Sequence, residues 1–377
     1  MRDFSNGFFA QAKTLFTTPK HLIMLALLIF MSVVTAEVYR GMVLRDVPVA
    51  ILDLDQSSLS RTLVRMVDAT REVRVVHPPI SSVEEAQQWL LRGEGAAVML
   101  IPSKFSSDLK HGREPRILIA IDGSNIVLAK NVNKALATAV ATVSAGAQLT
   151  FVRKLGLSES QAMAAVQPIA IDINDSFNPA NNYAVYIVPG SVFFLLHVYA
   201  MLLFASVFLP ESASPSRSHR VGRLGAIAVV TLLLGIAFFL ILMPIAQVSL
   251  QSNATVAICV LGAFLVVEAL FAAALAKALP GPLFAFQVTV ILTMLALMLS
   301  GITWPIDRFP EPLQQFSSFL PFTPFARALR IFVHEPVGLD QLRLPLRQLA
   351  QQAGVFAAIT LVATLSRAFI ARFREVA

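Results

Sequence analysis

The sequence has one cysteine, Cys259, set inside an apolar run, so no intramolecular disulfide can form. Charge is also scarce. Asp, Glu, Lys and Arg make up 14% of the chain, against about 25% in a soluble globular domain. No Gly-x-x-x-x-Gly-Lys-Ser/Thr sequence occurs, which excludes a nucleotide-binding loop of that type. Zinc-ligand spacings and a nucleophile elbow are missing as well. Asp53-Leu54-Asp55-Gln56-Ser57 resembles the start of a calcium loop. Such a loop needs Gly at its sixth position and Glu at its twelfth, where Ser58 and Val64 stand. The run reads instead as a strand-to-helix turn. The net charge of +7 would suit a nucleic-acid partner, but the basic residues are scattered and fit membrane topology better. No nucleic acid is expected to bind.

What the chain does have is apolar length. Hydrophobic residues make up 56% of it and the mean hydropathy is +0.69. The excess is gathered in runs long enough to cross a bilayer. The stretch from Phe177 to Leu209 organises the rest: a polar, turn-forming start, then apolar residues interrupted only by Pro189-Gly190 and His197. Before it, from Leu22 to about Ala36 and on towards Leu44, comes a first span. No Ala-x-Ala site follows it, so it reads as an uncleaved anchor. After it come Leu224 to Val248, Ala254 to Ala276, Leu283 to Thr303 and Ala350 to Ile370. The expectation is therefore an α-helical integral membrane protein with six transmembrane helices and an inserted extracytoplasmic α/β domain.

The domain plan follows. Residues 1–20 place Phe4, Phe8, Ala12, Leu15 and Phe16 at helical spacing beside Arg2, Lys13 and Lys20, which suits a cytoplasmic interfacial helix. Residues 21–44 are the first transmembrane helix. Residues 45–182 have soluble composition. Their strands are expected at Val47 to Leu52, Val73 to Val76, Ala96 to Ile101 and Ile117 to Ile121, with helices between. A long Ala-rich helix, Asn125 to Phe151, then leads back to the membrane. Residues 183–377 form a five-helix bundle, with an extracytoplasmic segment at 304–349 whose aromatic residues suit short amphipathic helices at an interface. Arg217, Arg220 and Arg223 in one short loop, Lys277 in another and Arg367, Arg372 and Arg374 near the C-terminus alternate with an uncharged loop at Gln251 to Asn253. That alternation puts both termini in the cytoplasm.

Four sets of residues are candidates for function. Glu268 is a carboxylate within a span, which costs about 2.5–3.5 kcal/mol on insertion scales. It reads either as a pathway or subunit-contact residue or as a packing residue with a local partner. His197 reads first as hydrogen-bonded packing, with a proton relay as the sharper option. Pro189 and Gly190 are candidates for a helix kink. Arg217, Arg220 and Arg223 are candidates for contact with a cytoplasmic ATPase or with lipid, beside the plainer role of fixing topology.

Several pieces in order along the chain carry a resemblance. They are Val47-Pro48-Val49-Ala50-Ile51-Leu52-Asp53-Leu54-Asp55-Gln56-Ser57-Ser58-Leu59-Ser60, Gly95-Ala96-Ala97-Val98-Met99-Leu100-Ile101-Pro102-Ser103-Lys104-Phe105, Asp122-Gly123-Ser124-Asn125, Phe177-Asn178-Pro179, Val188-Pro189-Gly190 and Met298-Leu299-Ser300-Gly301. Together they resemble the permease subunits of ABC-2 type exporters that carry a large extracytoplasmic insert between the first two spans. The resemblance implies a bacterial inner-membrane protein that is not itself an enzyme. It implies a homodimer or heterodimer with a second permease subunit, working with separate cytoplasmic ABC ATPase subunits that hold ATP and Mg. Some members act with a periplasmic adaptor and an outer-membrane channel, and the family exports drugs, lipids, polysaccharides or peptides. The chain departs from the pattern at Pro210 to Arg220, a Ser/Pro-rich loop without the family's coupling segment. That departure leaves a second expectation open, a non-transporting accessory protein that binds a partner through its inserted domain. A proton-coupled transporter is a third, resting on Glu268 and His197.

Overall fold

The computed structural model describes residues 2–40, 45–111, 113–166, 182–210, 216–251, 253–334 and 340–376, with side chains to residue 370 and those of residues 165 and 334 excepted. The expected turn at Phe177 to Asn181, the loop residue Glu211 and the side chains of Arg372 and Arg374 lie outside the described residues. The chain divides into two compact units, Met1–Met42 with Ser176–Ala377, and Val43–Asp175.

The first unit opens with α1 (Arg2–Thr17) and α2 (Pro19–Tyr39). The inserted unit follows, with β1 (Val47–Asp53), α3 (Ser58–Asp68), β2 (Val73–Val75), α4 (Val83–Leu91), β3 (Ala97–Ile101), α5 (Phe105–Lys110), β4 (Leu118–Ile121), α6 (Ile126–Lys154) and α7 (Glu159–Val166). The first unit then resumes with α8 (Tyr183–Ser206) and α9 (Arg217–Ala237). A π turn at Phe238–Leu242 leads into α10 (Met243–Ile245). After it come α11 (Ala254–Ala278), α12 (Pro282–Leu299), a 3-10 turn at Ile306–Arg308, α13 (Glu311–Phe319), α14 (Phe322–His334) and α15 (Arg343–Val376).

In the inserted unit the strand order is β2-β1-β3-β4, with β1 parallel to both neighbours and β4 antiparallel to β3. The central β1 is buried on both faces, which explains its unbroken apolar run. Val47, Val49 and Ile51 join the core under α3 and α6, while Ala50 joins Ile80, Ala86, Trp89 and Val98 on the other face. Ser57 and Ser82 cap α3 and α4 by accepting from the amides of Ser60 and Glu85, each at 3.1 Å.

Among the described residues, seven helices are long and apolar enough to cross a membrane. Six are α2, α8, α9 continued through α10, α11, α12 and α15. The seventh is α6, but Val132, Ala135, Leu136, Ala139 and Val143 follow helical spacing and bury against the sheet. Its apolar character is thus spent on the α/β core.

In the membrane unit α8 is the buried centre. Val188, Val192, Phe193, Leu196, Ala200, Leu203 and Phe204 are all buried in one cluster with side chains of α11 and α14. The outer helices instead leave large apolar side chains uncovered. Examples are Ile23 and Phe30 on α2, Leu283 and Met298 on α12, and Leu361 and Phe369 on α15. Such faces suit lipid and are unfavourable in water.

Two features differ from the sequence reading. The loop expected to run to Arg223 ends earlier, because Ser216 caps α9 by accepting from the His219 amide at 3.1 Å, and Arg217, Arg220 and Arg223 are helical. A good cap and tertiary packing outweigh the poor helix propensity of the preceding Ser/Pro run. Segment 304–349 is not confined to an interface either. Its α14 buries Phe322, Phe325, Ala326, Ala328, Leu329, Phe332 and Val333 in the bundle core.

Candidate functional site

Near the middle of α8 and of α11, His197 and Glu268 face each other inside a single chain. His197 Nδ1 hydrogen-bonds Glu268 Oε1, and the two side chains are 2% and 0% exposed. That burial leaves Glu268 no surface with which to reach a second subunit. The pair is net neutral whether the carboxyl proton rests on the oxygen or on the imidazole, and this is the form that costs least in a low-dielectric interior. Around it stands an aromatic box. The Phe322 ring stacks on His197 at 5.0 Å and 17°, with Phe264 at 5.9 Å and Phe194 at 6.0 Å. Phe264 stacks in turn on Phe325 at 4.3 Å and 9°. Among the described residues, His197 Nε2 and Glu268 Oε2 have no hydrogen-bond partner.

Phe322 is the first residue of α14, so α13 and α14 form a re-entrant hairpin whose tip reaches the mid-span pair. On the far side of the tip, Phe319 packs edge-on against Phe271 at 5.9 Å and Phe356 at 5.1 Å. Non-helical backbone at this depth needs partners within the protein. Gln352 of α15 supplies them, its Nε2 donating to the carbonyls of Ser318 at 2.8 Å and Leu320 at 3.1 Å. Ser317 Oγ donates to the Leu299 carbonyl at 2.6 Å and ties the hairpin to α12.

Pro189 lies within one continuous helical run, Tyr183–Ser206. Beside it Gly190 admits Ile302, since a Cβ there would lie 2.7 Å from Ile302 Cδ1. The same turn is held by Tyr186, whose hydroxyl donates to the Ile302 carbonyl at 2.5 Å. It is also held by Arg330, which donates to the carbonyls of Gly301 and Ile302. Pro189 and Gly190 thus mark where α8 meets the loop that opens the hairpin segment.

At the opposite end of the bundle, α1 lies along α9. Gly222 touches the α1 backbone so closely that a Cβ would be 2.2 Å from the Phe4 carbonyl oxygen, and Gly7 meets His219 in the same way. Ser216 Oγ donates to Asp3 Oδ2 at 3.1 Å, and Arg223 Nε donates to Gln11 Oε1 at 2.8 Å. The structure therefore separates the three arginines. Arg223 turns inward to α1, while Arg217 and Arg220 stay at the surface or half-buried.

The acidic turn Asp53 to Ser57 is structural. Asp53 accepts from the amides of Asp55 and Gln56 and from Ser60 Oγ. Asp55 accepts from the Ser106 amide at 3.1 Å, which caps α5. No cluster able to hold a metal ion occurs among the described residues.

Sequence reasoning singled out His197 and Glu268 separately, 71 positions apart, without joining them. It missed Gln352, Arg330, Tyr186 and Ser317. Gln352 carried a usable signal, being an amide at the head of an otherwise apolar span.

The membrane unit is thus a helical bundle with an α/β insert after its first span. A family model described as ABC-2 family transporter protein matches residues 19–365. The chain belongs to that family and is a membrane permease of an ABC transporter. No curated protein and no solved structure matches it.

Proposed function

We propose that the chain is the permease subunit of an exporter in a bacterial inner membrane, driven by separate ATPase subunits that bind ATP and Mg. The observation that carries this reading is the α1–α9 pair. Six crossing spans return both chain ends to one end of the bundle, where Arg217, Arg220, Lys277 and Arg367 also lie. By the positive-inside rule that end is cytoplasmic. The inserted α/β unit is then extracytoplasmic. With its coupling segment missing, the chain offers a helix pair locked by Gly7 and Gly222 as the contact that receives ATPase motion. From α9 the contacts are continuous. Phe239 lies 4.4 Å from Phe193 of α8, and Phe193 lies 5.6 Å from Phe325 of α14. Movement of α9 would thus bear on the hairpin and on the His197–Glu268 pair.

The test is ATPase activity of the reconstituted complex carrying Gly222→Leu, which forces α1 and α9 apart. Loss of permease-dependent stimulation, with normal membrane insertion and ATPase binding, is expected. Unchanged stimulation would remove the helix pair from coupling.

A further inference from the structure

Four cationic side chains converge at the α1–α9 end of the bundle from three helices. Arg217 and Arg220 begin α9, Lys277 sits in the last turn of α11, and Arg367 lies on α15. Both α9 and α15 pack on α11. Arg367 Nη2 donates to the Leu279 carbonyl at 2.7 Å, which fixes it at the end of α11. Lys277 is half-buried and within electrostatic reach of Arg220, Arg367 and Arg217. Among the described residues no carboxylate pairs with any of the four.

A topology signal alone requires only that Lys and Arg be numerous at this end. It does not require them to meet, and meeting costs energy through like-charge repulsion unless an anion sits among them. The first turn of α9 adds the positive end of a helix dipole. Apolar side chains flank the cluster: Leu283 and Phe284 at the start of α12 and Leu365 and Phe369 on α15 are exposed. Those surfaces suit acyl chains.

We propose that this cluster binds the phosphate of an anionic phospholipid headgroup, with the acyl chains lying along α12 and α15. Free phosphate has the same oxygen chemistry, and an acidic protein surface is the competing partner, so the experiment separates the three. The full chain with its membrane partners is purified in detergent. Retention of phosphatidylglycerol and phosphatidylcholine is then measured by native mass spectrometry, with and without millimolar inorganic phosphate. Wild type is compared with Lys277→Gln/Arg367→Gln and with a control pair at the other end, Arg308→Gln/Arg343→Gln.

Wild type should retain phosphatidylglycerol over phosphatidylcholine. The Lys277/Arg367 pair should weaken retention by about tenfold or more, given the usual contribution of each basic residue at an anionic surface. The control pair should leave retention unchanged. Should the double variant fail to fold, Arg220→Gln alone should weaken retention in the same direction. Equal retention of the two lipids, or equal loss in the control pair, would overturn the site. Displacement of the lipid by inorganic phosphate would replace the phospholipid with free phosphate as its ligand. Loss of the ATPase partner without loss of lipid would give the cluster to protein docking instead.

Discussion

At the scale of single residues, the buried pair is where chemistry and packing meet. Removing one partner of a buried pair costs more than replacing it by a group that keeps the hydrogen bond. Glu268→Gln can still donate to His197 Nδ1, so its effect on stability should stay below about 1.7 kcal/mol, the upper end for hydrogen bonds between membrane helices. Glu268→Lys places a cation against His197 in the same aromatic box and should cost about 2.5–3.5 kcal/mol or more. Thermal stability of the detergent-purified chain, followed by size-exclusion chromatography, distinguishes the two. A lysine variant as stable as wild type would show that position 268 is not enclosed. Sequence showed each polar residue as unusual for its span. Their pairing was not legible, because nothing along the chain records which faces of α8 and α11 meet.

Elements differ in how far pattern alone determines them. The central strands β1 and β3 were readable because a sheet covered on both faces demands continuous apolar runs, and Val47 to Leu52 is one. In α14 the pattern was clear but its meaning was not. Phe322, Phe325, Leu329 and Phe332 make an apolar face that suits a lipid interface and a protein core equally. Only the partners, His197 and Phe264 on one side and Gln352 near the turn, decide the matter. Gln352→Leu removes both hydrogen bonds from the hairpin turn and should destabilise it by about 1–3 kcal/mol at the usual net worth of such bonds. Hydrogen exchange of the amides from Ser317 to Phe322 should rise in this variant. Exchange indistinguishable from wild type would mean that the turn is held elsewhere. The α1–α9 crossing makes a sharper prediction. Gly222→Leu introduces atoms where a Cβ alone would stand 2.2 Å from the Phe4 carbonyl, and overpacking of this kind costs about 1–3 kcal/mol. Gly222→Ala should show the same effect in smaller degree, and a leucine variant with unshifted melting would mean that the two helices separate freely.

For the whole molecule, orientation comes first. With Cys259→Ala as background, Ser107→Cys in the inserted unit and Ser218→Cys at the start of α9 should label from opposite sides with an impermeant thiol reagent. Position 107 is expected to react in intact cells. Reaction at 218 but not at 107 would invert the topology. The most direct measurement of whether this chain is an ATP-driven permease is purification from native membranes with its bound partners, followed by ATPase assay of the complex in liposomes. The expected result is an ATP-binding-cassette subunit in stoichiometric amount, with activity that depends on this chain and falls with Gly222→Leu. A chain that purifies without any ATPase, or with one indifferent to its presence, would contradict the permease assignment and leave a non-transporting membrane partner in its place.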